Sequence, residues 1–209
     1  MKVLVLGATG SVGQHILRLG IERGHELTAL VRNPEKLKSW ERRVRAVKGD
    51  ALDKDSVEQA VRGQEAAIYA IGIKTIGRTT LFSESTRILI DAMERNRVKR
   101  LVCITGVGAG ETKGHGGFLY DRILFPLVTK RVYADKEVQE TLIQKSSLDW
   151  VIVRPAGFRE GSPSGKLEAV TDVRGVTLTR VSRVEVAAFV LDQLTDGRYL
   201  RKAVFIGHR

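Results

Sequence analysis

Seven short runs of residues, apolar almost throughout, recur along the chain: Val3–Leu6, Leu27–Val31, Val44–Val47, Ala66–Ile71, Leu101–Thr105, Trp150–Val153 and Ala203–Ile206. Runs of this length are strand-sized, and the lack of a clean apolar–polar alternation says that both faces of each strand are buried. Stretches with helical spacing separate most of them. Val12, Ile16, Leu19 and Gly20 recur at that spacing up to Gly24, and Ser56–Val61 fits a short helix. Leu81–Arg95 is amphipathic, with Phe82, Leu89 and Met93 near one face, and Val132–Lys145 and Val184–Leu194 read as two further helices. A mainly parallel sheet of six to seven strands, covered by helices on both sides, satisfies this pattern: an α/β fold. Hydrophobic residues make up 43% of the 209, with no linker or repeat, so residues 1–209 read as one domain.

The first run leads straight into "GATGSVG", with Gly7, Gly10 and Gly13 spaced G-x-x-G-x-x-G. After a strand and before a helix, each glycine has a task. The first allows a sharp turn, the second lets backbone approach a pyrophosphate, and the third lets the helix pack on the strand. The helix start offers unpaired N–H groups and the positive end of its dipole to an anion. This context predicts a dinucleotide site on a doubly wound Rossmann fold.

The end of the second strand predicts which dinucleotide. An acidic residue there would accept hydrogen bonds from a ribose 2′-hydroxyl. The sequence instead has "LVRNPEKL", placing Arg32 at the strand end, with Asn33 beside it and Lys36 a turn further on. A guanidinium suits two-point capture of a 2′-phosphate, so the expected cofactor is NADP(H).

The remaining composition narrows the field. Lys and Arg number 35 against 24 Asp and Glu, a formal +11 that attracts anions: nucleic acid, a membrane surface or a phosphorylated small molecule. No helix-turn-helix pattern, zinc module or basic tail supports nucleic acid. No apolar stretch approaches the roughly 20 residues needed to span a bilayer. The early glycines argue against reading the first residues as a signal peptide. The single cysteine, Cys103, falls inside a strand and reads as a buried small hydrophobe in a reducing, cytoplasmic setting. The four histidines, His15, His25, His115 and His208, have no metal-ligand spacing, so no metal is expected. Asp50, Asp53 and Asp55 sit where strand-end turns and helix caps are expected. Three glycine-rich stretches, Gly72–Thr80, Gly106–Gly117 and Phe158–Gly165, follow strand ends and read as loops covering a small-molecule substrate.

Several motifs together resemble the atypical short-chain dehydrogenase/reductases: "GATGSVG", "LVRNPEKL", "VKGD" ending at Asp50, "KEVQETLIQKSSLDWVIVRPAG" from Lys136, and "VSRVEVAAFVLDQL". Within these the chain is most similar to the small NmrA-like NAD(P)H-binding proteins, the group that includes biliverdin-IXβ/flavin reductase. The resemblance covers nearly the whole chain and implies roles by position. Gly7, Thr9, Gly10, Ser11 and Val12 would line the pyrophosphate loop, and Arg32 would hold the 2′-phosphate. Asp50 and Ala51 would flank the adenine. Ala70, Ile71 and Gly72 would border the ribose and nicotinamide. Thr105, Gly106 and Val107 would lie beside the nicotinamide, Lys136 would bond its ribose, and Pro155 and Ala156 would face its carboxamide.

The wider superfamily uses a Ser, a Tyr and a Lys, the last two spaced Y-x-x-x-K. Here Tyr133 and Lys136 are spaced Y-x-x-K, a difference of about 100° around a helix. Thr105 offers a hydroxyl near the serine position. Tyr133 reads either as a proton donor or as a packed helical aromatic, and Lys136 either as a ribose ligand or as a partner of Glu140 one turn on. Without a proton donor, hydride transfer favours an acceptor that spreads the incoming charge. The sequence therefore reads as an NADPH-dependent reductase of a planar conjugated acceptor, such as a flavin or quinone. The alternative is an NADP(H)-binding redox sensor without turnover. The oligomeric state is not readable.

Overall fold

The computed structural model describes residues 1–72, 79–106, 130–161 and 165–209, with the side chains of Lys130, Arg131 and Tyr133 outside the description. The expectations for Val107, His115, the Tyr133 side chain and most of the first two glycine-rich stretches fall outside the described residues.

Strand β1 (Lys2–Leu6) turns through the glycines into α1 (Ser11–Glu22), which returns the chain to β2 (Glu26–Val31). A 3-10 helix over Pro34–Trp40 leads to β3 (Val44–Lys48). Next come α2 (Lys54–Val61), β4 (Ala66–Tyr69), α3 (Leu81–Arg95) and β5 (Arg100–Ile104). Helix α4 (Lys130–Lys145) precedes β6 (Asp149–Pro155). The short strands β7 (Phe158–Arg159), β8 (Glu168–Val170) and β9 (Val181–Ser182) come before α5 (Arg183–Asp192) and β10 (Lys202–Gly207).

The main sheet runs β3-β2-β1-β4-β5-β6-β10-β8. Its seven long strands are the seven apolar runs, all parallel; for example, Val5 registers with Ala29 on one side and Ile68 on the other. The eighth strand, β8, lies antiparallel on β10, with Phe205 opposite Val170. It extends the expected six to seven strands by one. β7 and β9 form a separate parallel pair, placing structure inside the third glycine-rich stretch.

Alternation along the strands feeds two cores. Val3 and Val5 join Ile16 and Leu17 of α1 and Val186, Val190 and Leu191 of α5 on one face. Leu4 and Leu6 face the other way, onto Val57 of α2, Leu89 and Met93 of α3 and Ile143 of α4. Helix starts are fixed by local chemistry. Asp53 caps α2 by accepting from the amides of Asp55 and Ser56, as its position in the sequence leads one to expect. Ser182 and Glu185 form a reciprocal capping box on α5.

The first crossing of the strand order lies between β2-β1 and β4-β5, so a crevice opens outside their carboxyl ends. Strand β4 leaves the sheet at Tyr69, two residues before the expected Ile71. Ala70 still donates its amide to the Leu6 carbonyl at 2.8 Å, closing the strand end beside Gly7.

Candidate functional site

The crevice floor is built from the turn that joins β1 to α1. Gly7 has φ +83°, and a Cβ there would stand under 3.0 Å from the Ala70 carbonyl and the Ile71 nitrogen. A Cβ on Gly13 would likewise overlap the Gly7 carbonyl and the Ala8 backbone. Only glycine allows the β1 end, the β4 end and the first turn of α1 to meet at this distance. Gly10 donates its amide to the Gly7 carbonyl at 2.9 Å and is the N-cap of α1. That cap makes no side-chain hydrogen bond, and the first turn of the helix holds no acidic residue. The first α1 amides are thus left for an outside acceptor, with Thr9, Gly10 and Ser11 exposed around them. Val12 faces inward and is buried at 9% exposure.

Arg32 follows the last residue of β2, is exposed, and has no ion-pair partner among the described residues. Asn33 beside it is occupied in capping the 3-10 helix, accepting from the Glu35 amide at 3.0 Å. Trp40, at the end of that helix, donates its indole N–H to Gln14 of α1 at 2.9 Å, pinning the segment that carries Arg32. Asp50 and Ala51 form the turn after β3, where Asp50 accepts from the Leu52 amide at 2.9 Å. These residues, with Ala70, Ile71 and Gly72, gather at the carboxyl ends of β1 to β4, as the sequence places them.

On the other side of the strand crossing, Thr105 extends β5, its amide donating to the Val153 carbonyl at 2.9 Å. Lys136 of α4 reaches it: Lys136 Nζ donates to the Thr105 carbonyl at 2.5 Å. The ammonium also lies 5.0 Å from the centre of the Phe82 ring. Burial lowers the Lys136 pKa from 10.5 to about 8, against opposing contributions from Cys103 and Glu140.

The Thr105 hydroxyl donates to Glu140 Oε1 at 2.6 Å. The same carboxylate receives Arg154 of β6, Nε to Oε1 at 3.2 Å and Nη2 to Oε2 at 2.6 Å, with both side chains 4% exposed. The ion pair of Glu140 is therefore made with Arg154, eighteen residues beyond Lys136 in sequence. Its effect on Lys136 is felt as a field that raises the lysine pKa.

Asp135, next to Lys136, is 6% exposed and accepts from the amides of Phe82 at 2.8 Å and Ser83 at 3.2 Å. It caps the start of α3 from a different helix and so fixes where Lys136 emerges. Sequence reasoning missed Asp135, Phe82, Glu140 in its actual role, and Arg154. Each acts through a contact distant in sequence, so none leaves a local signature.

Pro155 and Ala156 close β6, where the Ala156 amide donates to the Ile206 carbonyl at 2.9 Å. The Ala156 methyl is buried among Val173, Leu178 and Phe205, so contact with a ligand there falls to backbone. Tyr69, by contrast, is a core residue 1% exposed, its hydroxyl 2.7 Å from Ser85 and its pKa raised by burial. Cys103 is buried with its thiol pKa raised for the same reason, as expected of a small hydrophobe. Among the described residues no group of acidic, histidine or cysteine side chains could hold a metal, and no helix could cross a membrane.

The cradle of Gly7, Gly10 and Gly13, the α1 start without a side-chain cap and the exposed Arg32 fit a dinucleotide laid across the crevice. A doubly wound Rossmann fold with this loop defines a nucleotide-binding protein. Residues 7–197 match the family described as NAD(P)H-binding, and the chain belongs to that family.

Among its relatives, YwnB of Bacillus subtilis is 28% identical over 210 residues, covering 93% of this chain and 92% of YwnB. Of the solved structures, ChuY, an anaerobillin reductase from Escherichia coli O157:H7, superposes with TM-score 0.82 at 22% identity, covering 100% of this chain and 97% of that one. A short-chain dehydrogenase/reductase from Veillonella parvula, in complex with NADP, has TM-score 0.81 at 17% identity, covering 99% and 94%. At these identities the two structures establish the shared fold.

Proposed function

We propose that this chain is an NADPH-dependent reductase that passes hydride to a small, planar conjugated acceptor of the flavin or quinone kind. The observation that carries the reading is the Thr105 hydroxyl, which is donated to the buried Glu140 carboxylate at 2.6 Å. A hydroxyl spent in this way is a poor member of a Ser–Tyr–Lys proton relay. Reduction of a simple ketone leaves an alkoxide that needs a proton at once, whereas a conjugated acceptor spreads the charge until solvent supplies one.

Each set of residues then has a part. Gly7, Thr9, Gly10, Ser11 and Val12 receive the pyrophosphate at the head of α1, and Arg32 receives the 2′-phosphate. Asp50 and Ala51 flank the adenine. Ala70, Ile71 and Gly72 border the ribose and nicotinamide. Thr105, Gly106, Pro155 and Ala156 shape the nicotinamide end. Lys136, anchored to the Thr105 carbonyl, presents an ammonium to the nicotinamide ribose. Bound NADPH supplies the hydride; the protein orients the two rings and excludes water. Tyr133 is assigned no proton transfer in this reading.

The test is NADPH oxidation against a panel of flavins, quinones, tetrapyrroles and simple ketones, with wild type and Tyr133→Phe. Turnover of conjugated acceptors that survives Tyr133→Phe is expected. Turnover confined to ketones and abolished by Tyr133→Phe would sink it. Tight NADPH binding with no turnover of any acceptor would favour a redox sensor instead.

A further inference from the structure

Past the carboxyl end of β6 the chain enters Arg159 of β7, and past the end of β10 it runs through His208 to Arg209. These exits, together with Thr179 and Arg180 leading into β9, line an open cavity of about 540 Å³. That falls within the range of about 300–1,000 Å³ common to small-molecule sites. Its lining is strongly cationic: Arg159, Lys166, Arg180 and Arg209 beside His208 and a single carboxylate, Glu168.

The carboxylates nearby are already committed. Glu168 is paired with Arg209, Nε to Oε1 at 2.9 Å. Glu185, beneath the cavity, accepts from the Ser182 amide at 2.9 Å and the Ser182 hydroxyl at 2.6 Å, and its other oxygen meets His208 Nε2 at 2.9 Å. Arg159 reaches Glu185 only at 3.8 Å, beyond hydrogen-bond distance. Its Nε and Nη2 are out of contact with water and make no hydrogen bond. Such groups are costly to leave unsatisfied. Lys166 and Arg180 have no ion-pair partner among the described residues. The cavity therefore holds two unpaired cations and a third whose acid is spent, a local excess of positive charge that attracts an anion.

Its place in the sheet separates it from the cofactor phosphates. Those belong to the turns after β1 and β2, and β10 is four strands from β1 in the order of the sheet. At about 4.8 Å per strand the lateral offset is about 19 Å, whereas Thr105 at the end of β5 is only two strands away, about 10 Å. That second distance is the reach of a side arm on a ring system seated beside the nicotinamide.

We propose that this cavity is an anion subsite that takes a carboxylate or phosphate group borne by the electron acceptor. The assignment to the acceptor rests on the reductase reading above; the anion subsite does not. Guanidinium groups suit both anions through paired N–H donors.

The test uses the full chain saturated with NADP⁺, so that the cofactor's own phosphate sites are filled, at fixed ionic strength. Pyrophosphate is titrated calorimetrically into wild type, Lys166→Ala, Arg180→Ala and Arg42→Ala, the last an equal loss of charge just before β3 at the far edge of the sheet. Saturable binding to wild type and Arg42→Ala, weakened about tenfold by either change in the cavity, is expected. No saturable binding, or the same loss in Arg42→Ala, overturns the subsite. NADPH oxidation is then compared with FMN and riboflavin, which share a ring and differ by one phosphate. The KM for FMN is expected to be about tenfold the lower, with the gap closed by Arg180→Ala and the riboflavin value unchanged. Equal KM values with both flavins reduced overturn the assignment to the acceptor. Oxidation with neither flavin, while pyrophosphate still binds, overturns the reductase reading and that assignment together and upholds the anion subsite.

Discussion

Glu140 and Arg154 meet across α4 and β6 through two contacts, at 3.2 and 2.6 Å, in a place where each residue is 3% exposed. Removing one member of such a pair leaves the other charged in a medium that cannot solvate it, at a cost of about 3–5 kcal/mol. Glu140→Gln is therefore expected to lower unfolding free energy by about 3 kcal/mol in urea denaturation. The double change Glu140→Leu with Arg154→Met, which removes both charges, is expected to recover most of that loss. A double variant as unstable as the sum of its single changes would show that the pair is not the reason the site tolerates its charges.

Lys136 links this buried pair to the crevice, since its ammonium is anchored on the Thr105 carbonyl while the Thr105 hydroxyl is anchored on Glu140. Burial puts the Lys136 pKa at about 8, so the group proposed to face a bound ribose is charged below that pH and neutral above it. Accordingly kcat/KM for NADPH should fall as pH rises through about 8. Lys136→Arg should move that limb beyond the measurable range, and Lys136→Met should lower kcat/KM and flatten the profile. The stability effect has the opposite slope. Between about 8 and 10.5 the unfolded lysine holds a proton that the folded one has released, so stability rises with pH there relative to Lys136→Met. Below about 8 both states are protonated and the cost of the buried ammonium is at its full value.

Gly13 gives a separate test of the cradle. A Cβ there would overlap the Gly7 carbonyl and the Ala8 backbone, neither of which is a flexible side chain. Gly13→Ala should therefore displace α1 from the end of β1 and weaken NADPH binding by more than about tenfold, together with a lower Tm. Gly24 supplies the comparison, with φ +76° but nothing within 4 Å of where a methyl would stand. Gly24→Ala should cost about 1 kcal/mol from backbone strain alone and leave NADPH affinity unchanged. Fluorescence titration of NADPH alongside thermal unfolding separates the two effects.

The parallel sheet and the glycine turn from β1 into α1 were readable because their causes are local. Strands buried on both faces must be apolar run by run, and the β1–α1 turn needs its glycines within seven residues. Strand β8 was not readable: three half-buried residues, Glu168–Val170, form a strand only because the edge of β10 is there to pair with them. The polar interior of the site was unreadable for a related reason. Glu140 stands one helical turn from Lys136, and sequence spacing offers that pair, but the guanidinium of Arg154 reaches the carboxylate from β6. Asp135 looks like any acidic residue on a helix until the fold places it against the start of α3. Residue type announced the glycine turn at the start of α1, whereas the groups that position Lys136 follow from tertiary packing.

Arg32 is where the sequence spoke most specifically about the cofactor. It stands at the end of β2, exposed and with no ion-pair partner among the described residues, while Asn33 beside it is spent on the Glu35 amide. A guanidinium so placed gains two charge-assisted hydrogen bonds when a 2′-phosphate arrives and gains little from a 2′-hydroxyl. Arg32→Asp replaces that attraction with repulsion of the phosphate and supplies an acceptor for the hydroxyl. The Kd for NADPH is expected to rise by about 100-fold, and that for NADH to change by less than about threefold. Arg32→Ala should show a smaller loss for NADPH and none for NADH, since it removes the attraction without adding a charge. Both constants can be read by nicotinamide fluorescence at fixed ionic strength. A parallel loss for the two cofactors would mean that Arg32 supports the fold of the β2 end rather than the phosphate, and any preference for NADPH would have to originate elsewhere in the crevice.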